Sequence, residues 1–262
     1  MEAKRKGARS ISQIPPSILE QLNRGEIESA NLTEWLAVNH KELINNVLPE
    51  KYRIACTKSL DSLAKASIMQ TIKCIAGCLL TEISKEESQD LQHQLTKHES
   101  DSVRCWAAYI IGLDDTQTLQ NKLESIKCFA ADSHFGVREI AWMAVREDIE
   151  KQLATAIAIL SEWAMNTDAN IRRFSCEVIR PKGVWCKQLE IMKQHPELAL
   201  PILESLKSDS SRYVQDSVAN WLNDASKSQP TFVIGLTEKW KKESPNAETS
   251  YIIKRALRSI NK

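Results

Sequence analysis

The chain has 262 residues, 42% of them hydrophobic, enough to bury a substantial core in one elongated domain. Its formal net charge is +1, so no global imbalance compels a nucleic-acid or membrane partner, and any electrostatic footprint must be local. The seven cysteines are odd in number, with no Cys-x-x-Cys pair and no Cys/His cluster at zinc spacing, which argues against a disulfide framework or a structural metal and for a reducing cytoplasm. The basic N-terminus, Met1 to Gly7, lacks the apolar stretch of a signal peptide, and no run reaches the length of a membrane span.

In chain order, Pro15, Pro16 and Ser17 open a short helix that Gly25 closes, and Asn31 is placed to cap the next. From Leu32 to Leu48 apolar residues recur at helical spacing through Trp35, Leu36, Leu43 and Val47, until Pro49 ends the run. Residues 1–50 therefore read as an N-terminal helical cap, and residues 51–262 as one continuous repeat domain. Ile68, Ile72, Ile75, Ala76 and Leu79 form a weak first copy of the repeat helix. Cys74 and Cys78 share a face of it and read as small buried residues.

Four clearer copies follow. In each, a turn-forming polar segment leads into an apolar helix through Val103-Arg104, Val137-Arg138, Ile171-Arg172 or Val214-Gln215, the last replacing the arginine. The aligned Val/Ile positions are 34, 34 and 43 residues apart, the period of stacked helix pairs. Positions three, four, seven and eight after them are apolar or small, as a buried helix face requires. The segments Lys151 to Trp163 and Leu198 to Leu206 carry a second helical pattern and supply the outer helices. The expected fold is all-α, an α-solenoid of HEAT-like helix pairs with a concave basic groove.

The opposite face carries the charge. In the second, third and fourth copies it comprises Glu139, Met143, Arg146 and Glu147, then Arg173, Glu177, Arg180 and Pro181, then Asp216, Asn220, Asn223 and Asp224. Two readings fit this stripe: a solvated face with weak ion pairs, or a groove in which arginines meet anions and carboxylates perform chemistry. Residues 171–193 add a local basic surplus, six Lys/Arg against two Glu. Within them Pro181 and Gly183 break the helix and place Lys182, Trp185 and Lys187 in a loop.

The segments from Ile171 to Trp185 and from Tyr213 to Lys227 resemble Val-Arg-Arg-x-x-Ser-Glu-Gly-x-Arg-Pro and Tyr-Val-x-x-Ser-Val-Ala-Asn-x-Leu-Asn-Asp-x-x-Lys, motifs of the HEAT-like-repeat DNA glycosylases of the AlkC and AlkD types. His134 to Glu139 is similar to the AlkD-type segment in which an aromatic residue precedes the catalytic Asp. The resemblance spans about residues 100 to 230 and is closer to the AlkC type in the last two repeats. It implies excision of cationic alkylated bases, such as N3- or N7-alkylpurines, from double-stranded DNA; the sequence itself carries no cofactor signature and no metal-site pattern, so neither is expected. Asp224 and Glu177 match the acidic AlkC-type positions and Glu139 the AlkD-type Asp, which makes them the catalytic candidates. Arg138, Arg172, Arg173, Arg180, Lys182 and Lys187 are the implied phosphate contacts. Trp185, Phe135, His134 and Asn220 are the implied base or sugar contacts. Trp221 is also a candidate there, although its place on the apolar face reads as core, and for Trp185 the two readings are open.

Two positions depart from the family pattern. His134 stands where AlkC types have Glu, and Asn220 where AlkD types have a contacting Trp. A proton-shuttling or phosphate-contacting His134 competes with a structurally satisfied one. The rival to the enzyme is a non-catalytic repeat scaffold binding DNA by shape or holding a protein segment. A cytoplasmic monomer, on the nucleoid when bound to DNA, is expected in the first case.

Overall fold

In the computed structural model residues 5–63, 65–86 and 90–260 are described; Met1 to Lys4 of the basic N-terminus lie outside them. Among the described residues there is no strand. The α-helices are α1 Pro16–Arg24, α2 Leu32–Ala37, α3 His40–Val47, α4 Glu50–Asp61, α5 Ile68–Glu86, α6 Asp90–Thr96, α7 Asp101–Leu113 and α8 Leu119–Ala130. They continue with α9 Phe135–Lys151, α10 Leu153–Trp163, α11 Ala169–Glu177, α12 Glu190–Gln194, α13 Leu200–Leu206, α14 Arg212–Ala225, α15 Pro230–Glu243 and α16 Ala247–Ala256. The chain divides into two compact units, Met1–Gln117 with Asp132–Ala144 and Thr118–Ala131 with Val145–Lys262, so that α9 contributes to both.

In the first unit Gly25 closes α1 at φ 75°, a left-handed conformation that glycine reaches without a Cβ clash. The Asn31 side chain caps α2 by accepting from Glu34 N–H at 3.0 Å. The apolar run from Leu32 to Leu48 is two helices rather than one. Val38 is extended, and the Asn39 side chain accepts from Lys41 N–H at 3.1 Å, starting α3 afresh. The amide offers the backbone a local partner that competes with continuing the helix. Further on, α5 packs against α4 and α7. Cys74 and Cys78 on α5 are half-buried, and it is Cys56 on α4 that is fully enclosed. A Cβ on Gly112 of α7 would collide with the Ala144 carbonyl of α9, so the approach of these two helices requires glycine. Trp106 anchors this core, fully buried, with its Nε1–H donating to His40 Nδ1 at 3.1 Å.

The second unit stacks helices in two rows. α8 packs on α10 and α10 on α13, while α11 packs on α14 and α14 on α16, and contacts of α8 and α10 with α11 tie the rows together. This is the helix-pair stacking that the 34-residue period implied. The apolar face falls inside as expected: Phe174, Val178, Ile179, Val218, Trp221 and Leu222 are all buried.

The residue after each aligned Val/Ile clamps the turn that precedes its helix. Arg104 Nη1 donates to the carbonyls of His98 at 2.7 Å and Glu99 at 3.0 Å. Arg138 Nη1 does the same to Asp132 at 2.6 Å and Ser133 at 2.9 Å, and Arg172 Nη1 to Asn166 and Thr167, both at 2.9 Å. Gln215, shorter and with a single amide, donates to the Asp209 carbonyl at 2.7 Å. Arg104 also grips the Asp132 carboxylate through Nε at 2.8 Å and Nη2 at 3.1 Å, and Arg172 grips Asp209 at 2.6 and 3.0 Å. Those carboxylates cap their own turns, accepting from His134 N–H at 2.7 Å and Ser211 N–H at 2.8 Å. Arg172 was expected on phosphates. Its guanidinium is instead committed to this clamp, and Arg138 is bound in the same way to its own turn.

Replacing Arg104 by Met leaves Asp132 partly buried without its cation and two carbonyls without their donor. Urea unfolding should show a loss of about 3 kcal/mol, and a loss below about 1 kcal/mol would mean that the pair behaves as a surface ion pair. The second test concerns pH. Burial lowers the His40 pKa from 6.5 to about 4. A histidine depressed in the folded state is neutral there while the unfolded chain takes up a proton. Stability from this group is complete above pH 6.5 and lost as pH falls to about 4. The loss should amount to about 3 kcal/mol and should disappear from the unfolding profile of His40→Asn, whose Oδ1 still accepts from Trp106.

Candidate functional site

Helix α11 stops at Glu177, and the chain runs irregularly to Leu189 before α12. An irregular segment has carbonyls that need donors. Arg146 of α9 supplies three of them, donating to Val178 at 2.6 Å, Arg180 at 2.5 Å and Lys187 at 3.2 Å. A further donor is the Trp221 indole, 3.1 Å from the Ile179 carbonyl. Arg146 is only 3% exposed, and burial lowers its pKa. Its expected place on an open stripe is thus corrected: a helix face that packs under an irregular segment is interior there. Trp221, fully buried, belongs to the core, the second of its two readings.

On this segment Trp185 adopts φ 60°, left-handed for a bulky side chain, and is 50% exposed. Such a conformation costs about 1–2 kcal/mol and persists only where the surroundings over-determine it. Lys182, on the same segment, is exposed. Lys187, with a side chain 76% exposed, lies 3.6 Å from Glu150.

Glu177 and Asp224 meet through Arg180. Arg180 Nη1 donates to Glu177 Oε1 at 2.5 Å, while Nη2 and Nε donate to Asp224 Oδ2 at 2.7 and 3.2 Å. Glu177 Oε2 accepts from the Ser217 hydroxyl and has Arg173 Nη2 at 3.6 Å. Asp224 Oδ1 accepts from Lys227 Nζ at 3.0 Å. Both carboxylates are buried. Burial alone would pull the Arg180 pKa down, but the two carboxylates outweigh it and hold the guanidinium above its ordinary range. The arrangement is a buried pair of anions with one bridging cation, and Arg173 also stacks over the Tyr213 ring at 4.4 Å.

The rest of the fourth-repeat stripe is engaged by the C-terminal helix. Tyr251 O–H donates to Asp216 at 2.6 Å, Arg258 Nη2 to Asn220 Oδ1 at 2.9 Å, and Asn223 Nδ2 donates to the Ala256 carbonyl at 3.0 Å. These partners lie beyond Lys227, where the repeat motif ends, and carry no signal in the sequence pattern. Ser217 and Arg146 escaped sequence reasoning too, because one was counted among the small residues of the apolar face and the other placed on the open one.

The remaining candidates belong to the first unit. Glu139 accepts from Trp142 Nε1–H at 2.9 Å. His134 is 6% exposed, with Nε2 2.8 Å from the Ser29 carbonyl and Nδ1 3.2 Å from Gly136 N and 3.4 Å from Asp101 Oδ2. Of its two readings the structurally satisfied histidine fits these contacts. Phe135 packs on its ring at 4.6 Å, and both border a recess of about 280 Å³ with Arg5, Ser29, Ser133 and Arg138. Among the described residues no group of three or more His, Cys, Asp or Glu side chains is disposed to hold a metal, and no helix is long and apolar enough to cross a membrane.

No family model matches the sequence. Over 139 residues, 53% of this chain and 38% of the relative, it is 36% identical to YhaZ of Bacillus subtilis (strain 168), an uncharacterised protein. Its fold is shared with the alkylpurine DNA glycosylase AlkC of Pseudomonas fluorescens, solved bound to DNA containing an abasic site analog. The TM-score is 0.70 at 24% identity, over 98% of this chain and 66% of that one. AlkD2 from Streptococcus mutans matches at TM-score 0.55 and 21% identity, over 84% of this chain and 98% of that one. The chain thus spans less than two thirds of the length of AlkC and of YhaZ.

If Arg146 holds the irregular segment, Arg146→Met should raise amide hydrogen exchange over residues 178–189 by at least about tenfold, since each charged donor lost is worth about 1.5–3 kcal/mol. Unchanged protection there would show that the segment is held by other contacts.

Proposed function

We propose that the chain is a DNA alkylation repair glycosylase that hydrolyses the N-glycosidic bond of cationic alkylated bases, such as N3- or N7-alkylpurines, in duplex DNA. The observation that carries this reading is the buried Glu177 and Asp224 pair bridged by Arg180 on the fold that AlkC and AlkD2 share. A positively charged base leaves as a neutral molecule, so its departure needs no proton. What needs stabilising is the oxocarbenium-like sugar, and two desolvated carboxylates supply fixed negative charge for it. One of them then orients a water toward C1′ and accepts its proton, the logic of glycoside hydrolysis. Glu139 is the third carboxylate candidate. Trp185, half-exposed and strained, is the candidate for a base or sugar contact, while Lys182, Lys187 and Arg173 are the candidates for phosphates. The protein would act without a cofactor, as a monomer in the cytoplasm and on the nucleoid when DNA-bound.

One observation favours the non-catalytic alternative. Arg180 and Lys227 between them occupy both oxygens of Asp224, so a scaffold binding DNA by shape would need no change at this site. The two readings part on base release from methylated duplex DNA. The enzyme requires release that falls by at least about 100-fold in Asp224→Asn, with duplex binding retained, and that is also diminished in Glu177→Gln. Salt-sensitive binding without release by any form, wild type included, leaves the scaffold.

A further inference from the structure

Helix α16 and the short turn after it, Leu257–Ser259, bring a second cationic group to the fourth-repeat face. Arg255 Nε lies 3.4 Å from Asp216 Oδ1, and Arg212 and Arg255 flank the Tyr251 ring at 3.5 and 5.5 Å. Arg258 has no carboxylate partner among the described residues. Its guanidinium donates to the neutral Asn220 Oδ1 at 2.9 Å and to the Arg255 carbonyl at 2.6 Å. The acids nearby are already occupied: Asp216 accepts from Tyr251, and Asp224 from Arg180 and Lys227. Partial burial above all, and then the positive charge of Arg255, lower the Arg258 pKa. Arg255, despite its contact with Asp216, keeps a side chain 44% exposed. A guanidinium without a carboxylate, next to a second exposed one, is stabilised by an anion from outside, and guanidinium forks match the oxygens of a phosphate.

We propose that Arg255 and Arg258, with the Asn220 side chain, form a subsite for a backbone phosphate of DNA. This rests on the reading of the chain as a DNA-binding protein and assigns to the C-terminal helix and turn a grip that the repeat motifs do not contain. Asn220, expected at the base or sugar, here orients Arg258 toward the phosphate. The carboxylates act at the sugar, and the subsite holds the strand beside them.

The test is duplex binding measured over a range of salt concentrations. Each phosphate contact removed should flatten the plot of log affinity against log salt by about one unit. Arg255→Gln with Arg258→Gln should therefore flatten it by about two units, while Lys239→Gln, which breaks a surface pair with Glu204, leaves it unchanged. Asn220→Asp, which removes no cation but supplies Arg258 with a competing carboxylate, should weaken binding in the same direction. Slopes unchanged in the arginine variants, with wild type still salt-sensitive, overturn the subsite and leave the DNA reading standing. Absence of salt-sensitive binding by wild type overturns both. Inorganic pyrophosphate bound by wild type and lost in the variants, without a change in the DNA slope, assigns the arginines to a free polyphosphate and overturns the DNA assignment.

Discussion

The guanidinium that follows the aligned Val or Ile in three of the four copies organises the turns on which the repeats depend. A turn between stacked helices presents carbonyls that neither helix can satisfy. One planar fork reaches two of them and still has Nε and Nη2 for a carboxylate, which is why the residue is arginine and not lysine. Asp132 and Asp209 have two tasks, capping their own turns and accepting the preceding arginine. Arg172 still reaches Asp209 although the step from Ile171 to Val214 is longer than the others. The extra residues are absorbed by the irregular segment after α11, and the clamp keeps its register.

That segment is where the fold gives up regular structure and gains a site. Glu177 ends the helix, and the chain beyond it is held from beneath by Arg146 and Trp221, which replace lost backbone hydrogen bonds with side-chain ones. These donors are interior, and on the segment they support Trp185 takes a left-handed conformation. The same segment carries Arg180 between two carboxylates. Burying three charges carries a large desolvation cost, offset by charge-assisted hydrogen bonds among them and by Ser217 and Lys227. An electrostatic site arranged in advance needs no reorganisation when positive charge develops beside it.

The architecture was legible because its determinants are local. Apolar residues at 3.6 spacing define a buried face, Gly25 and Asn31 terminate and start helices, and the 34-residue recurrence of Val-Arg marks the repeat. Single-residue decisions were less visible. Asn39 splits the run from Leu32 to Leu48 because its side chain caps the backbone at a point where the apolar period continues undisturbed. Glu177, Asp224 and Glu139 were named as candidates from segments that resemble the family's, but the Arg180 bridge between the first two was not visible there.

By itself, the sequence determined the all-helical class, the repeat and the residues available for chemistry, since these follow from propensity, periodicity and residue type. It did not determine what each arginine does. Arg104, Arg146, Arg172 and Arg180 have the same charge and all occur in helix-forming stretches, yet they respectively join turns, prop up an irregular segment, join turns again and bridge two carboxylates. Those roles depend on acceptors 28 to 44 residues away, as with Arg104 and Asp132 or Arg180 and Asp224. A guanidinium takes whichever oxygens packing brings within hydrogen-bond reach, so only the tertiary structure could decide between them.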